Sequence, residues 1–263
     1  PQARSLAHEL YGAWRAQGFV AAVRVNPMAQ DGLDDLAAVM RGAPDIVALP
    51  KVAEPADVVA LDAAVTRFER EFGLPQGATK LLPNVEYARG LVQTFAIARA
   101  SPRVVACLLA SEDLAHDLGA ERGRDGLELA YPRQRFLVEC VAAGTLAVDC
   151  PYTWRDAGVV EDTRWARRLG YRAKSAVAPE HAAMINAVLT PDAADVDRAR
   201  RIVAAFDDAR SRGEAGVEVD GTLVEVPVYL NAKRLIARAA ALAAAGHPAP
   251  AAPGSGDASA DGP

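Results

Sequence analysis

Apolar residues gather in short runs along the chain, at residues 20–26, 45–49, 80–85, 104–110, 146–149 and 174–177. Each run is dense in Val, Leu, Ile or Ala and too short for a helix, which reads as a strand. The runs are nearly continuous in apolar character, the pattern of strands buried on both faces of a parallel sheet. Between them, helical patterns cover residues 33–41, 55–72, 89–100, 127–143 and 160–169. Pro55 opens the second of these, where a missing N–H costs nothing. Strand followed by helix, repeated in this way, predicts an α/β fold with parallel strands. Beyond residue 177 the pattern changes to helices over 179–188 and 192–211, a turn-rich hairpin at 213–221 and an amphipathic helix over 228–245. Residues 246–263, rich in Gly, Pro, Ala, Ser and Asp, predict a disordered tail. The expected division is therefore 1–190, 191–245 and 246–263.

The strand ends choose among α/β folds. Neither GxGxxG nor a Walker A loop is present, which argues against a nucleotide-binding doubly wound sheet. Instead Arg24, Lys51, Glu86, Asp113 and Asp149 sit at or just past the C-terminal ends of predicted strands. In a (β/α)8 barrel those ends converge on one mouth, where such barrels do their chemistry. A TIM barrel with a C-terminal helical extension is the expected architecture.

Charge and composition narrow the partners. The 263 residues carry 29 basic and 34 acidic side chains, a net charge of −5, which argues against a nucleic-acid or anionic-membrane surface. No apolar run approaches the roughly 20 residues of a membrane span, and no signal-peptide pattern opens the chain. Cys107, Cys140 and Cys150 have no CxxC spacing and read as buried thiols in a reducing, cytoplasmic compartment. No histidine pairs with a nearby Ser or Cys in a nucleophile pattern, which disfavours a triad hydrolase.

Glu86 and Asp113 close successive predicted strands and would face one another across a barrel mouth. Two carboxylates plus waters suit Mg2+ or Mn2+ rather than zinc; the alternative is that each complements a helix dipole. Arg24, within a run of Val and Ala, suits bidentate capture of a substrate carboxylate, or else an inter-strand ion pair. Lys51 could form a Schiff base if desolvated, make an electrostatic contact to substrate, or belong to a structural ion pair. Tyr11, Trp14 and Phe19 read as core or interface residues.

Taken in order, the motifs resemble the HpcH/HpaI-type aldolase/citrate lyase beta-subunit family, which includes malyl-CoA and citramalyl-CoA lyases. The resemblance covers residues 20–240. It rests on Arg24-Val25-Asn26, Leu49-Pro50-Lys51, Val85-Glu86-Tyr87-Ala88-Arg89-Gly90, the stretch from Ala110 through Asp113 to Gly119, Ala147-Val148-Asp149-Cys150-Pro151, Gly170 through Lys174 to Pro179, Leu189-Thr190-Pro191 and Asp220-Gly221 through Glu225 to Pro227. It implies a (β/α)8 barrel, trimeric or hexameric, that makes or breaks a carbon–carbon bond with Mg2+. Glu86 and Asp113 would hold the metal, Arg24 the oxo-acid carboxylate, and Lys51 would lie beside the substrate. Glu225, at the family's interface aspartate, would be the acid near the acyl group, delivered by a neighbouring subunit.

The implied activity is cleavage or formation of a 3-hydroxyacyl-CoA, with acyl-CoA and a small oxo acid as partners. Aldol cleavage of a free 4-hydroxy-2-oxo acid, or a catalytically inactive paralogue that binds a partner, are the alternatives. Departures from the family are Ala53 for Glu, Ala110 for Gly, Ala178 for His and Glu225 for Asp. The family has two further strands before Arg24, so the barrel is expected to be N-terminally incomplete, through truncation of the chain or degradation of a paralogue.

Overall fold

The computed structural model describes residues 2–246, which fall into two compact units divided between Ala182 and Ala183. Apart from Gly246, the expected disordered tail lies outside the described residues. In the first unit, helix α1 (Gln2–Ala16) precedes β1 (Ala22–Arg24), α2 (Gly32–Val39), β2 (Ile46–Leu49), α3 (Pro55–Glu71) and β3 (Lys80–Val85). There follow the short α4 (Ala88–Leu91) and α5 (Thr94–Ala98), β4 (Ala106–Leu109), α6 (Ser111–Asp117), α7 (Ala130–Ala143), β5 (Leu146–Asp149), α8 (Gly158–Leu169), β6 (Ala173–Lys174) and the start of α9 (Pro179–Leu189).

All six strands pair in parallel, in the order β1-β2-β3-β4-β5-β6. Residues of β1 and of the segment after β6 line a common cavity, so the sheet is curled, its inner face enclosing that space. This is the six-stranded portion of a barrel that the sequence predicts. The apolar runs form strands because both faces are occupied: Val47, Leu81, Leu109 and Ala147 are buried.

Where structure and pattern differ, local hydrogen bonding gives the reason. The helix expected over 89–100 breaks into α4 and α5, with the Thr94 hydroxyl donating to the carbonyls of Gly90 and Leu91 at 3.3 and 3.0 Å, a competitor for the helical ladder. Gly90 is required here, since a Cβ would lie 2.4 Å from the Val52 carbonyl oxygen. Gly90→Ala is expected to cost about 1–3 kcal/mol through that overlap, read as a lower urea midpoint. Residues 127–143 begin with a 3-10 turn before α7, and β6 ends at Lys174, short of the expected 177. At the start of the chain Tyr11 is core, Trp14 packs against the core, and Phe19 is exposed.

An ion-pair cluster around Arg103 braces the first unit. Arg103 bonds Asp62 at 2.7 Å and Glu69 at 2.6 Å, and Glu69 also accepts from the N–H groups of Gly77 and Thr79. Burial alone would raise the Glu69 pKa, but Arg103 and those N–H groups hold it below the usual carboxylate range. A depressed folded-state pKa gives stability that is present above the unfolded-state value and lost as pH falls through the folded one. The stability difference between the native protein and Glu69→Gln should therefore shrink from about pH 6 to about pH 3 in denaturant titrations.

The second unit contains the rest of α9, α10 (Ala193–Ser211), the hairpin β7 (Val217–Val219) and β8 (Thr222–Val224), and α11 (Val226–Ala244). The hairpin turns on Asp220-Gly221, both with positive φ, as a tight two-residue turn between antiparallel strands requires.

Candidate active site

Along β3, side chains alternate. Leu81 and Val85 enter the core, while Leu82, Asn84 and then Glu86 line the cavity on the inner face. The cavity has a volume of about 420 Å3 and is walled by apolar residues such as Ala48 and Leu108. Its polar lining is Arg24 from the end of β1, Asn84 from β3, Glu86 just after it, Asp113 from the first turn of α6, and Ser175 after β6. The sheet thus brings together Arg24, Glu86 and Asp113, from segments up to 89 positions apart in the chain.

Glu86 is 3% exposed. Burial, reinforced by the charge of Asp113, pushes its carboxyl above the usual range. The backbone N–H of Lys51 nearby and the charges of Arg24 and Lys51 oppose the rise. Asp113 is exposed at the helix start, so the dipole-complementing position and the cavity position are the same one. Arg24 is exposed toward the cavity rather than sealed into an inter-strand pair.

The other predicted residues are placed differently. The Lys51 side chain is exposed and is not part of the cavity lining, although its charge acts on Glu86. Asp149, which the strand-end pattern sets beside Glu86 and Asp113, is fully buried and bonded to Arg133 and Lys174. Glu225 lies in the second unit, exposed at the start of α11. Glu54, one residue beyond the departure at Ala53, is bound to Arg89 and caps α3. Ala110 lines the cavity and Ala178 is buried.

Sequence reasoning missed Asn84. Its Oδ1 is buried and accepts no hydrogen bond among the described residues. The available signal was a lone amide at an inward-facing position of an apolar strand, which costs free energy unless something in the cavity pairs with it. A second cavity of about 600 Å3 lies along α8. Four of its charged groups are already paired, Arg124 with Asp156, Asp162 with Arg133 and Lys174, and Glu161 with Arg164. The smaller cavity is therefore the chemical candidate.

A curled parallel sheet with two carboxylates and an arginine at its strand ends defines a barrel-type α/β protein with a charged cavity at the position where such barrels do their chemistry. Residues 1–179 match the HpcH/HpaI aldolase/citrate lyase family, and the chain belongs to that family. It is 32% identical over 240 residues to the citrate lyase subunit beta of Haemophilus influenzae, covering 90% of this chain and 81% of that one. It is 32% identical over 225 residues to a (3S)-malyl-CoA thioesterase of Cereibacter sphaeroides, covering 84% of this chain and 75% of that protein. Among solved structures it resembles Mycobacterium tuberculosis CitE in complex with magnesium, acetoacetate and coenzyme A. That match has a TM-score of 0.66 and 28% identity, and covers 83% of this chain and 78% of CitE. No described helix is long and apolar enough to cross a membrane.

Proposed function

We propose that this protein is a Mg2+-dependent carbon–carbon lyase that cleaves or forms a 3-hydroxyacyl-CoA such as malyl-CoA, citramalyl-CoA or citryl-CoA, with an acyl-CoA and an oxo acid as the other partners. The observation that carries this reading is the single cavity shared by Glu86, Asp113 and Arg24. Family membership and the magnesium, acetoacetate and coenzyme A bound by the CitE relative support it. Among the described residues no group of three or more His, Cys, Asp or Glu could hold a metal. Two carboxylates facing open space fit a hard cation, Mg2+ or Mn2+, that completes its shell with water and substrate oxygens, and do not fit a closed zinc site. A buried carboxyl pushed upward by an acidic neighbour is also a group that a cation would hold ionised.

A divalent cation bound there would polarise the keto oxygen of the oxo acid. Arg24 would grip its carboxylate bidentately and align the breaking bond. Asn84 would offer its amide to a substrate oxygen or hydroxyl. The acyl-CoA enolate then needs a proton, and Glu225 of a neighbouring subunit in a homotrimer or homohexamer is the proposed acid. The buried free thiols suit a reducing, cytoplasmic setting; burial, with Asp149 nearby, pushes Cys150 up to about 12.

The test is a panel of 3-hydroxyacyl-CoAs incubated with the protein and Mg2+, with products resolved by mass spectrometry. Acyl-CoA and oxo acid should appear together and vanish with EDTA. Free CoA without acyl-CoA would instead mean thioester hydrolysis, the activity in the name of the Cereibacter relatives. Turnover of a CoA-free 4-hydroxy-2-oxo acid alone would mean an aldolase. Metal binding without any turnover would mean an inactive paralogue.

A further inference from the structure

On the inward-facing row of β3, Asn84 stands between Leu82 and Glu86. It is 4% exposed and lines the cavity. Its register partner on β4 is Leu108, and Ala48 of β2 lies level with Leu82. These neighbours are apolar and have no proton to offer an amide. The backbone of Asn84 is served, its carbonyl accepting from the Val52 N–H at 3.1 Å, but the side-chain Oδ1 has no hydrogen-bond partner among the described residues. A buried acceptor left unpaired costs free energy that an apolar residue at the same position would not. The orphaned atom also says what would relieve it. Oδ1 needs a proton donor, and an ionised carboxylate or a keto oxygen has none to give. A hydroxyl donates to Oδ1, and it also accepts from Nδ2 if the amide turns about its last torsion, so it pairs with either end.

We propose that Asn84 is a specificity-determining residue of this cavity, whose amide selects an acid that carries a hydroxyl over the same acid without one. In the proposed reaction the 3-hydroxyacyl thioester has that hydroxyl and the oxo acid does not, so Asn84 favours the uncleaved side. Arg24 makes no such distinction, since a guanidinium grips the carboxylate of either. This role rests on the reading of the cavity as the site of a metal-dependent lyase.

The experiment is calorimetric titration with each enantiomer of malate and with succinate, which differ in one hydroxyl, on the native protein, Asn84→Leu and Asn84→Ala, all at saturating Mn2+. Any preference of the cation itself for malate is common to the three proteins and cancels when their malate-to-succinate affinity ratios are compared. For the better-bound enantiomer that ratio should fall about tenfold in both variants, the scale of losing a buried hydrogen bond. Asn84→Leu should melt at or above the native temperature, because it removes an unpaired buried acceptor beside open space. An unchanged ratio with Mn2+ bound would overturn the proposal; it is the result expected if Asn84 serves only a structural water or the packing of β3, the latter with a lowered melting temperature. A native protein that binds Mn2+ but does not prefer malate to succinate would overturn it as well. If Asn84→Leu does not fold, Asn84→Ala supplies the same ratio, and failure of both to fold would make the amide structural and overturn it too. Failure of the native protein to bind Mn2+ would instead refute the metal-dependent reading beneath it.

Discussion

Asp113→Ala is expected to abolish Mg2+-dependent lyase turnover, lowering kcat/KM at least about a thousandfold, the scale of losing several kcal/mol of charge stabilisation. Asp113 is exposed at the start of α6, so its removal opens no core cavity and the variant should melt near the native temperature. Its loss leaves Glu86 as the single carboxylate of the cavity lining. It also removes the charge that helps raise the Glu86 carboxyl, so Glu86 should ionise more easily while holding metal less well. Mn2+ titration beside the lyase assay checks both statements. Native turnover in a folded Asp113→Ala protein would refute the proposed function.

Asp149→Ala should have its large effect on stability. Asp149 bonds the Arg133 guanidinium at 2.6 and 2.9 Å and the Lys174 ammonium at 2.7 Å. Asp162 completes the set, at 2.7 Å from Arg133 and 2.6 Å from Lys174. Asp149 and Lys174 are wholly buried by side chain and Arg133 nearly so. Two cations balance two carboxylates, and removing one carboxylate leaves a buried positive charge uncompensated. Breaking such a set typically costs about 3–5 kcal/mol, or on the order of 10 °C in Tm for a domain of this size. Asp149→Asn keeps the shape and loses the charge, and should fall between Asp149→Ala and the native protein. A melting scan suffices, and a change below about 1 kcal/mol would contradict the account.

These outcomes separate two aspartates that look alike in the sequence. Asp149 ends β5 much as Asp113 follows β4, and in the linear pattern both are strand-end acids at the mouth. The difference is made by Arg133, on α7, and Lys174, at the end of β6. Their side chains meet Asp149 only once the strands are laid side by side. Lys51 teaches the same lesson from the other direction. Its motif follows β2, but its left-handed backbone and exposed side chain become visible only in the folded chain.

The sequence by itself determined the parallel α/β class and the existence and order of the six strands, because buried parallel strands need continuous apolar runs and that requirement is local. It also singled out Arg24, Glu86 and Asp113, since charges at the ends of such runs must meet solvent, a partner or a ligand. Only the tertiary structure decided which strand-end charges share a cavity, which are neutralised in the interior, and that the Asn84 amide lies buried without a partner. It also decided that position 90 must be glycine, because the Val52 carbonyl occupies the space a Cβ would fill. The physical reason is that periodicity reports what one segment requires of its own two faces, whereas pairing, burial and collision depend on which distant segments fill those faces.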